Sequence, residues 1–148
     1  MAAQSAPTAA AVDTTLSSTV TVEIRTDEDV VRVRQSVRAA AVAIGMRLVE
    51  QTKLVTAASE LSRNALDYGG GGKAELQVLR HGPRCGVRLI VEDDGPGIVD
   101  VGLALTDGYS TGGGMGLGLA GARRLVDEFE LWSEVGVGSC VTIVGWAS

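Results

Sequence analysis

The sequence is poor in aromatic side chains, with two Trp, two Tyr and one Phe among its 148 residues. Hydrophobic residues nevertheless make up 45% of the chain, so its core must consist mainly of Val, Leu, Ile and Ala. This composition suits a small structure in which helices pack on a sheet. The length indicates one folded domain.

Basic residues are also fewer than acidic residues. Thirteen Lys and Arg residues stand against eighteen Asp and Glu residues, which gives a formal net charge of −5. A nucleic-acid-binding protein needs a basic face to neutralise phosphates. We therefore expect no nucleic-acid partner.

Cysteines are few and long apolar runs are lacking. Cys85 and Cys140 lie far apart without a metal-ligand spacing, which predicts reduced thiols in a cytoplasmic protein. No stretch approaches the roughly 20 apolar residues that span a membrane. Residues 1–19, rich in Ala, Ser and Thr, do not resemble a signal peptide. We expect a disordered tail over residues 1–19, a single domain over residues 20–148, and no membrane partner.

Glycine, by contrast, is abundant and clustered. Half of the twenty glycines lie between Val91 and Leu125. This segment runs into apolar residues with the 3–4–3 spacing of a helix face, namely Leu119, Ala122, Val126 and Phe129. A glycine loop that opens a helix offers N–H groups and a positive dipole end to phosphates. The loop lacks the Gly-Lys-Ser/Thr ending of a P-loop and the context of dinucleotide-binding glycines.

An acidic turn precedes the glycine loop. The apolar strand 87–91 ends in Glu-Asp-Asp-Gly-Pro-Gly, residues 92–97. A carboxylate at a strand end can accept a hydrogen bond from the exocyclic amino group of adenine, where guanine presents an acceptor oxygen. The turn therefore predicts selectivity for adenine.

The coarse order of elements is β-α-α-β-β-loop-α-β-β. It predicts an α/β (α+β) two-layer sandwich, with a mixed, mostly antiparallel sheet and three main helices on one face. Thr26 or Asp27 is expected to cap a first helix that runs to Ile44, with Gly45 as its stop. A second helix is expected from Leu48 to about Tyr68, with an apolar stripe of Leu54, Ala58, Leu61 and Ala65 and a polar face that includes Ala57.

Glu60 and Asn64 lie four residues apart on the second helix, so their side chains point to the same place. Alone, such a pair is more typical of a solvated helix face. The four glycines of residues 69–72 follow directly, however, and the next strands lead to the acidic turn. This combination makes the pair a candidate part of the site.

Three motifs in this order resemble the Bergerat ATP-binding fold of gyrase, Hsp90, histidine kinases and MutL proteins, the GHKL superfamily. They are residues 60–64 (ELSRN), 93–97 (DDGPG) and 114–118 (GMGLG), followed by Gly138-Ser139. Within that superfamily, the sequence in and around these motifs is similar to that of the switch kinases of the bacterial stressosome, the RsbT type. The resemblance implies an ATP-dependent serine/threonine protein kinase. Its substrates would be STAS-domain scaffold and antagonist proteins, and after release it would bind and activate a PP2C-type phosphatase.

The resemblance also implies a role for each motif. Glu60 matches the catalytic glutamate, Asn64 the magnesium ligand and Asp93 the adenine-binding aspartate. ATP and Mg²⁺ are the implied cofactors, and residues 111–118 would form a lid over the phosphates. The implied nucleotide-binding residues are Asn64, Asp93, Gly95, Gly97, Ile98, Thr111, Gly112, Gly113, Gly114, Met115, Gly116, Leu117, Gly118 and Ser139.

Two positions depart from the pattern of the superfamily. Ser139 stands where a threonine is usual, and its hydroxyl can make the same hydrogen bond. Tyr68 stands where many relatives have histidine. Simpler interpretations hold for other residues: Arg63 as a surface or partner contact, and Arg123 and Arg124 as a solvated helix face. Gly136 and Gly138 are expected to serve only a hairpin.

Alternatives within the superfamily differ in their partners. A sensor histidine kinase needs a phosphoacceptor histidine, whereas His81, the one histidine of the chain, lies in a Gly-Pro turn. An anti-sigma factor or another nucleotide-gated binding module, with a sigma factor as partner, shares the same motifs and stays open. The amino-acid sequence at residues 109–111 and 127–129 favours the switch kinase. By analogy with the family, we expect a monomer that joins a larger complex.

Overall fold

A five-stranded sheet with helices packed on one side forms the protein. The structure is a computed structural model that describes residues 15–98, 101–105 and 118–148. The elements are β1 (Thr15–Ile24), α1 (Asp27–Ala43), α2 (Leu48–Asp67), β2 (Gly72–His81), β3 (Arg84–Asp93), α3 (Val101–Ala104), α4 (Gly118–Arg124), β4 (Glu128–Glu134) and β5 (Gly138–Trp146).

The sheet has the strand order β1-β2-β3-β5-β4. Each described pairing is antiparallel, although a mixed sheet was predicted. Alternate residues of each strand face the helices. On β3, Val87, Leu89 and Val91 enter the core in this way and are at most 3% exposed. The predicted two-layer arrangement is confirmed.

The first helix begins and ends where its sequence predicts. Thr26 is its N-cap: its hydroxyl accepts the N–H of Asp29 at 3.3 Å, and the Asp29 carboxylate accepts the N–H of Thr26 at 3.0 Å. This reciprocal capping satisfies two N–H groups that have no partner within the helix. Gly45 follows the helix with φ of 85°, a left-handed conformation that favours glycine.

The second helix contributes an apolar face to the core and carries the candidate site residues Glu60 and Asn64. The predicted stripe of Leu54, Ala58, Leu61 and Ala65 is buried. Ala57 was assigned to the polar face, but it is also fully buried. A wider apolar face therefore packs against the sheet and the other helices, which leaves Glu60 and Asn64 half-buried at its border.

The helix after the glycine loop is shorter than its apolar pattern suggests. It ends at Arg124, and Phe129 belongs to β4. The chain has rejoined the sheet by Asp127, whose N–H donates to the carbonyl of Val144 at 2.9 Å. The Asp127 carboxylate also accepts the N–H of Trp146 at 2.7 Å. These sheet contacts override the local helical pattern.

The first strand begins earlier than expected. Residues 15–19, assigned to the tail, pair with β2, from Thr15 opposite Arg80 to Thr19 opposite Gln77. Thr is well suited to a strand, but the Ser- and Thr-rich composition hides this preference. The rest of the expected tail lies outside the described residues.

Both cysteines are free thiols and half-buried. Burial, together with the negative charge of Glu92, raises the pKa of the Cys140 thiol, which disfavours the reactive thiolate. Within the described ranges, no helix is long and apolar enough to cross a bilayer.

Removing residues 1–19 is expected to lower the free energy of unfolding by about 1–2 kcal/mol, because the paired N-terminal half of β1 is lost. Urea denaturation measures the change. A truncation of residues 1–14 is the matched control, because it keeps every described residue of β1. Equal stability of the two truncated proteins would show that these strand pairs contribute nothing.

Candidate active site

A cavity of about 530 Å³ lies between α2 and the ends of β3 and β5. This volume is typical of a small-molecule site. Most of its wall is apolar, and a few polar side chains converge on it. The lining residues are Leu61, Asn64, Ala65, Tyr68, Gly69, Val91, Asp93, Pro96, Gly97, Ile98, Leu103, Ala104, Gly118, Leu119, Ser139 and Val141.

A row of opposed residues crosses the sheet at the cavity. Gly72 of β2 lies opposite Asp93 of β3, Asp93 opposite Ser139 of β5, and Ser139 opposite Ser133 of β4. Directly opposed residues of antiparallel strands share one face of the sheet. The register therefore places the Asp93 carboxylate beside the Ser139 hydroxyl on the face that carries the helices.

The Asp93 carboxylate is half-buried and held by backbone groups. Its Oδ1 accepts the N–H of Gly95 at 2.8 Å. Burial raises the pKa of Asp93 above its ordinary value, and the neighbouring Asp94 charge acts in the same direction. Hydrogen bonds from the N–H groups of Gly95 and Ser139 act against this rise. The group is a fixed acceptor in a partly dry site.

Two glycines make room for this carboxylate. A Cβ added to Gly69 would lie 2.4 Å from Cγ of Asp93, and one added to Gly95 would lie 2.5 Å from Cα of Gly69. No side chain fits at either position without a shift of Asp93 or of the backbone. Gly69 was not among the predicted site residues. Its place in a run of four glycines after the candidate helix was the available signal.

The β4–β5 hairpin holds the acidic turn from the other side. The N–H of Gly136 donates to the carbonyl of Pro96, and the N–H of Ile98 donates to the Ser133 hydroxyl at 2.7 Å. Gly138 was expected to serve only the hairpin. It also approaches β3 so closely that an added Cβ would lie 2.1 Å from the carbonyl oxygen of Asp93.

Glu60 lies next to the cavity without lining it. Its Oε2 accepts the N–H of Gly118, the first residue of α4, at 3.1 Å. Asn64, one helical turn along α2, lines the cavity together with Gly118. The hydrogen bond fixes a carboxylate at the border of the cavity.

All eight site residues that the sequence predicts and the structure describes gather in this one region: Glu60, Asn64, Asp93, Gly95, Gly97, Ile98, Gly118 and Ser139. Seven more lie outside the described residues, namely Thr111, Gly112, Gly113, Gly114, Met115, Gly116 and Leu117. Sequence reasoning missed Gly69 and Ser133.

Cationic side chains are absent from the described wall of the cavity. Arg63 instead pairs with Asp27 at 2.7 Å on the surface, in agreement with its predicted surface position. The described residues also include no group of three or more His, Cys, Asp and Glu side chains suited to a metal ion. Asn64 can supply one amide oxygen, which suffices for Mg²⁺ when phosphate and water complete its shell.

Comparison with known proteins places the chain in a family. The family of histidine kinase-, DNA gyrase B-, and HSP90-like ATPases matches residues 49–145. The serine/threonine-protein kinase RsbT of Bacillus subtilis (strain 168) is 41% identical over 125 residues, which cover 84% of this chain and 94% of RsbT. The chain belongs to this ATPase family and, within it, to the RsbT type of kinase.

A solved structure of the RsbU and RsbW domains of a Mycobacterium tuberculosis protein shares the fold of the RsbT-type chain. The TM-score is 0.62 at 21% identity, and the match covers 87% of this chain. The RsbT-type chain spans only 32% of that longer protein. These findings confirm the predicted resemblance and the fold.

Replacing Asp93 by Asn is expected to raise the melting temperature at pH 7 in the absence of nucleotide. The raised pKa means that the ionised carboxylate is less favourable in the folded chain than in the unfolded chain. This cost is present above the folded pKa and disappears as the pH falls below the unfolded value of about 3.9. The melting temperatures of the variant and the unmodified protein should therefore converge in acid. A variant that is less stable at pH 7 would show that the hydrogen bonds to the Asp93 carboxylate outweigh the cost of its burial.

Replacing Gly69 by Ala is expected to weaken ATP binding at least tenfold, because the added methyl group displaces the Asp93 carboxylate. Isothermal titration calorimetry measures the affinity. Gly82→Ala is the matched control: Gly82 lies in the β2–β3 turn with φ of 61°, which alanine adopts at a cost, but no atom lies within 4 Å of an added Cβ. It should lose about 1 kcal/mol of stability and keep its ATP affinity. Equal ATP affinity of the two variants would contradict the role of Gly69.

Proposed function

We propose that this RsbT-type kinase transfers the γ-phosphate of ATP to a serine or threonine of STAS-domain scaffold and antagonist proteins. After release it binds and activates a PP2C-type phosphatase. The observation that carries the proposal is the Glu60 carboxylate, fixed beside the cavity by the Gly118 N–H, one turn from Asn64. The identity with RsbT supports the same conclusion.

The cavity is suited to an adenine base. Apolar side chains, among them Leu61, Val91 and Val141, offer flat contact surfaces, and Asp93 lies among them as an acceptor. Adenine would donate its amino group to this carboxylate. Guanine would present a carbonyl oxygen there, and two facing acceptors without a proton repel each other.

The phosphates would extend from the base towards Asn64 and Gly118. Since no Lys or Arg lines the described part of the cavity, neutralisation would come from backbone N–H groups of residues 111–118 and from Mg²⁺. Asn64 would hold this ion through its amide oxygen, and the ion when bound would offset the charge of the phosphates.

Glu60 would act as the general base. An ionised carboxylate can accept the proton of the attacking serine or threonine hydroxyl and orient its oxygen towards the γ-phosphate. The Gly118 hydrogen bond uses the Oε2 atom of Glu60, so Oε1 would make this contact. Because Gly118 starts α4, directly after the implied lid, the position of the base is connected to that segment of the chain.

Glu60→Gln is expected to reduce phosphate transfer to a purified STAS-domain partner by about 10² to 10⁴, the usual contribution of a general base. An amide oxygen can still accept the Gly118 N–H, so ATP affinity and melting temperature should stay near those of the unmodified protein. Glu60→Ala should lose transfer and the Gly118 contact together. Labelled γ-phosphate on the partner is the measurement.

Glu130→Gln on the exposed face of β4 is the matched control and should retain full transfer. Full transfer by Glu60→Gln would remove Glu60 from the role of base. If the unmodified protein binds ATP but labels no STAS partner, the nucleotide controls a binding surface instead, as in an anti-sigma factor. Phosphatase activity, followed before and after labelling of the partner, tests the release step.

A further inference from the structure

Ser133 of β4 has a place in the site that the proposed chemistry does not use. It lies opposite Ser139, which lies opposite Asp93. Ser139 lines the cavity, whereas Ser133 is one strand farther away and half-buried. Its side chain is therefore positioned to act on the bound molecule only through its neighbours.

Among the described residues, the Ser133 hydroxyl has three polar neighbours. It accepts the N–H of Ile98 at 2.7 Å, lies 2.9 Å from the Ser139 hydroxyl oxygen, and lies 3.3 Å from the carbonyl oxygen of Gly138. A hydroxyl has one proton to donate and two lone pairs to accept with. The Ile98 N–H occupies one lone pair, and the one proton must go either to Ser139 or to Gly138.

The distances favour Ser139 as the acceptor. The 2.9 Å between the two hydroxyl oxygens lies within the usual range of about 2.5–3.0 Å for an O–H···O hydrogen bond and fits either direction of donation, whereas the 3.3 Å to the Gly138 carbonyl is a long, weaker bond. The Ser133 proton therefore makes its better hydrogen bond to Ser139. If Ser133 donates to Ser139, the proton of Ser139 cannot point back and is available to the cavity. If Ser133 donated to Gly138 instead, Ser139 would donate to Ser133 and offer the cavity only an acceptor.

We propose that Ser133 is a positioning residue for nucleotide selectivity, which acts by directing the Ser139 proton into the cavity. The wall then presents an acceptor, Asp93, beside a donor, Ser139. Adenine presents the opposite pair, an amino donor beside the ring acceptor N1. Guanine presents a carbonyl oxygen beside an N1–H donor and opposes the wall at both places. This inference rests on the proposed binding of ATP.

Ser133→Ala is expected to lower the ratio of ATP to GTP affinity about fivefold, since one net hydrogen bond is worth roughly that factor. The loss arises because the freed Ser139 hydroxyl can rotate and accept from guanine N1–H. Calorimetric titration with both nucleotides measures the ratio. Ser133→Thr keeps the hydroxyl and should restore the ratio. Ser133→Cys keeps the approximate size with a much weaker donor and should reproduce the loss, even if the alanine variant folds poorly.

Thr142→Val removes a hydroxyl elsewhere on β5 and should leave the ratio unchanged. In a Ser139→Ala background, Ser133→Ala should no longer alter the ratio, because Ser133 acts through Ser139. Two results overturn the inference: an unchanged ratio in Ser133→Ala, whether or not both affinities fall equally, or the same change of ratio in the Ser139→Ala background. Failure of the unmodified protein to bind ATP would instead overturn the proposed function itself.

Discussion

The antiparallel register at one end of the sheet places Gly72, Asp93, Ser139 and Ser133 in a single row, and the site depends on this alignment. Side chains alternate between the two faces of a strand, so a slip of one residue would turn the Asp93 carboxylate away from the helices. The buried alternate residues of β3, Val87, Leu89 and Val91, hold the register because the same slip would expose them. Packing of the core thus determines which way the Asp93 carboxylate points.

Close backbone approaches make this arrangement possible. Gly69 and Gly95 surround the Asp93 carboxylate, and Gly138 touches its backbone from the neighbouring hairpin. The enclosure removes water from a charged group, which raises its pKa and lowers the stability of the folded chain. A site that sacrifices stability for selectivity is common in proteins whose core supplies the remaining stability. Here α2 contributes to both the core and the site: its apolar face is buried in the core, and Glu60 and Asn64 lie at the border of that face.

Local rules predicted the parts of the chain where the determinants are local. The N-cap at Thr26 or Asp27 and the apolar stripe on α2 follow from local rules, and the three motifs are recognised by their resemblance to the superfamily. The end of α4 does not follow from local rules, because contacts of Asp127 with β5 decide it. Ser133 gave no signal either: a serine in a strand becomes important only when the register sets it opposite Ser139. Thr15 to Thr19 were misassigned because their pairing with β2 outweighs their polar composition.

The most direct measurement is a crystal structure with Mg²⁺ and a non-hydrolysable ATP analogue. The account predicts the adenine amino group within hydrogen-bond distance of the Asp93 carboxylate, the metal ion on the Asn64 amide oxygen, and the γ-phosphate on the side of the cavity where Glu60 meets Gly118. A base bound away from Asp93, or a γ-phosphate remote from Glu60, would contradict it.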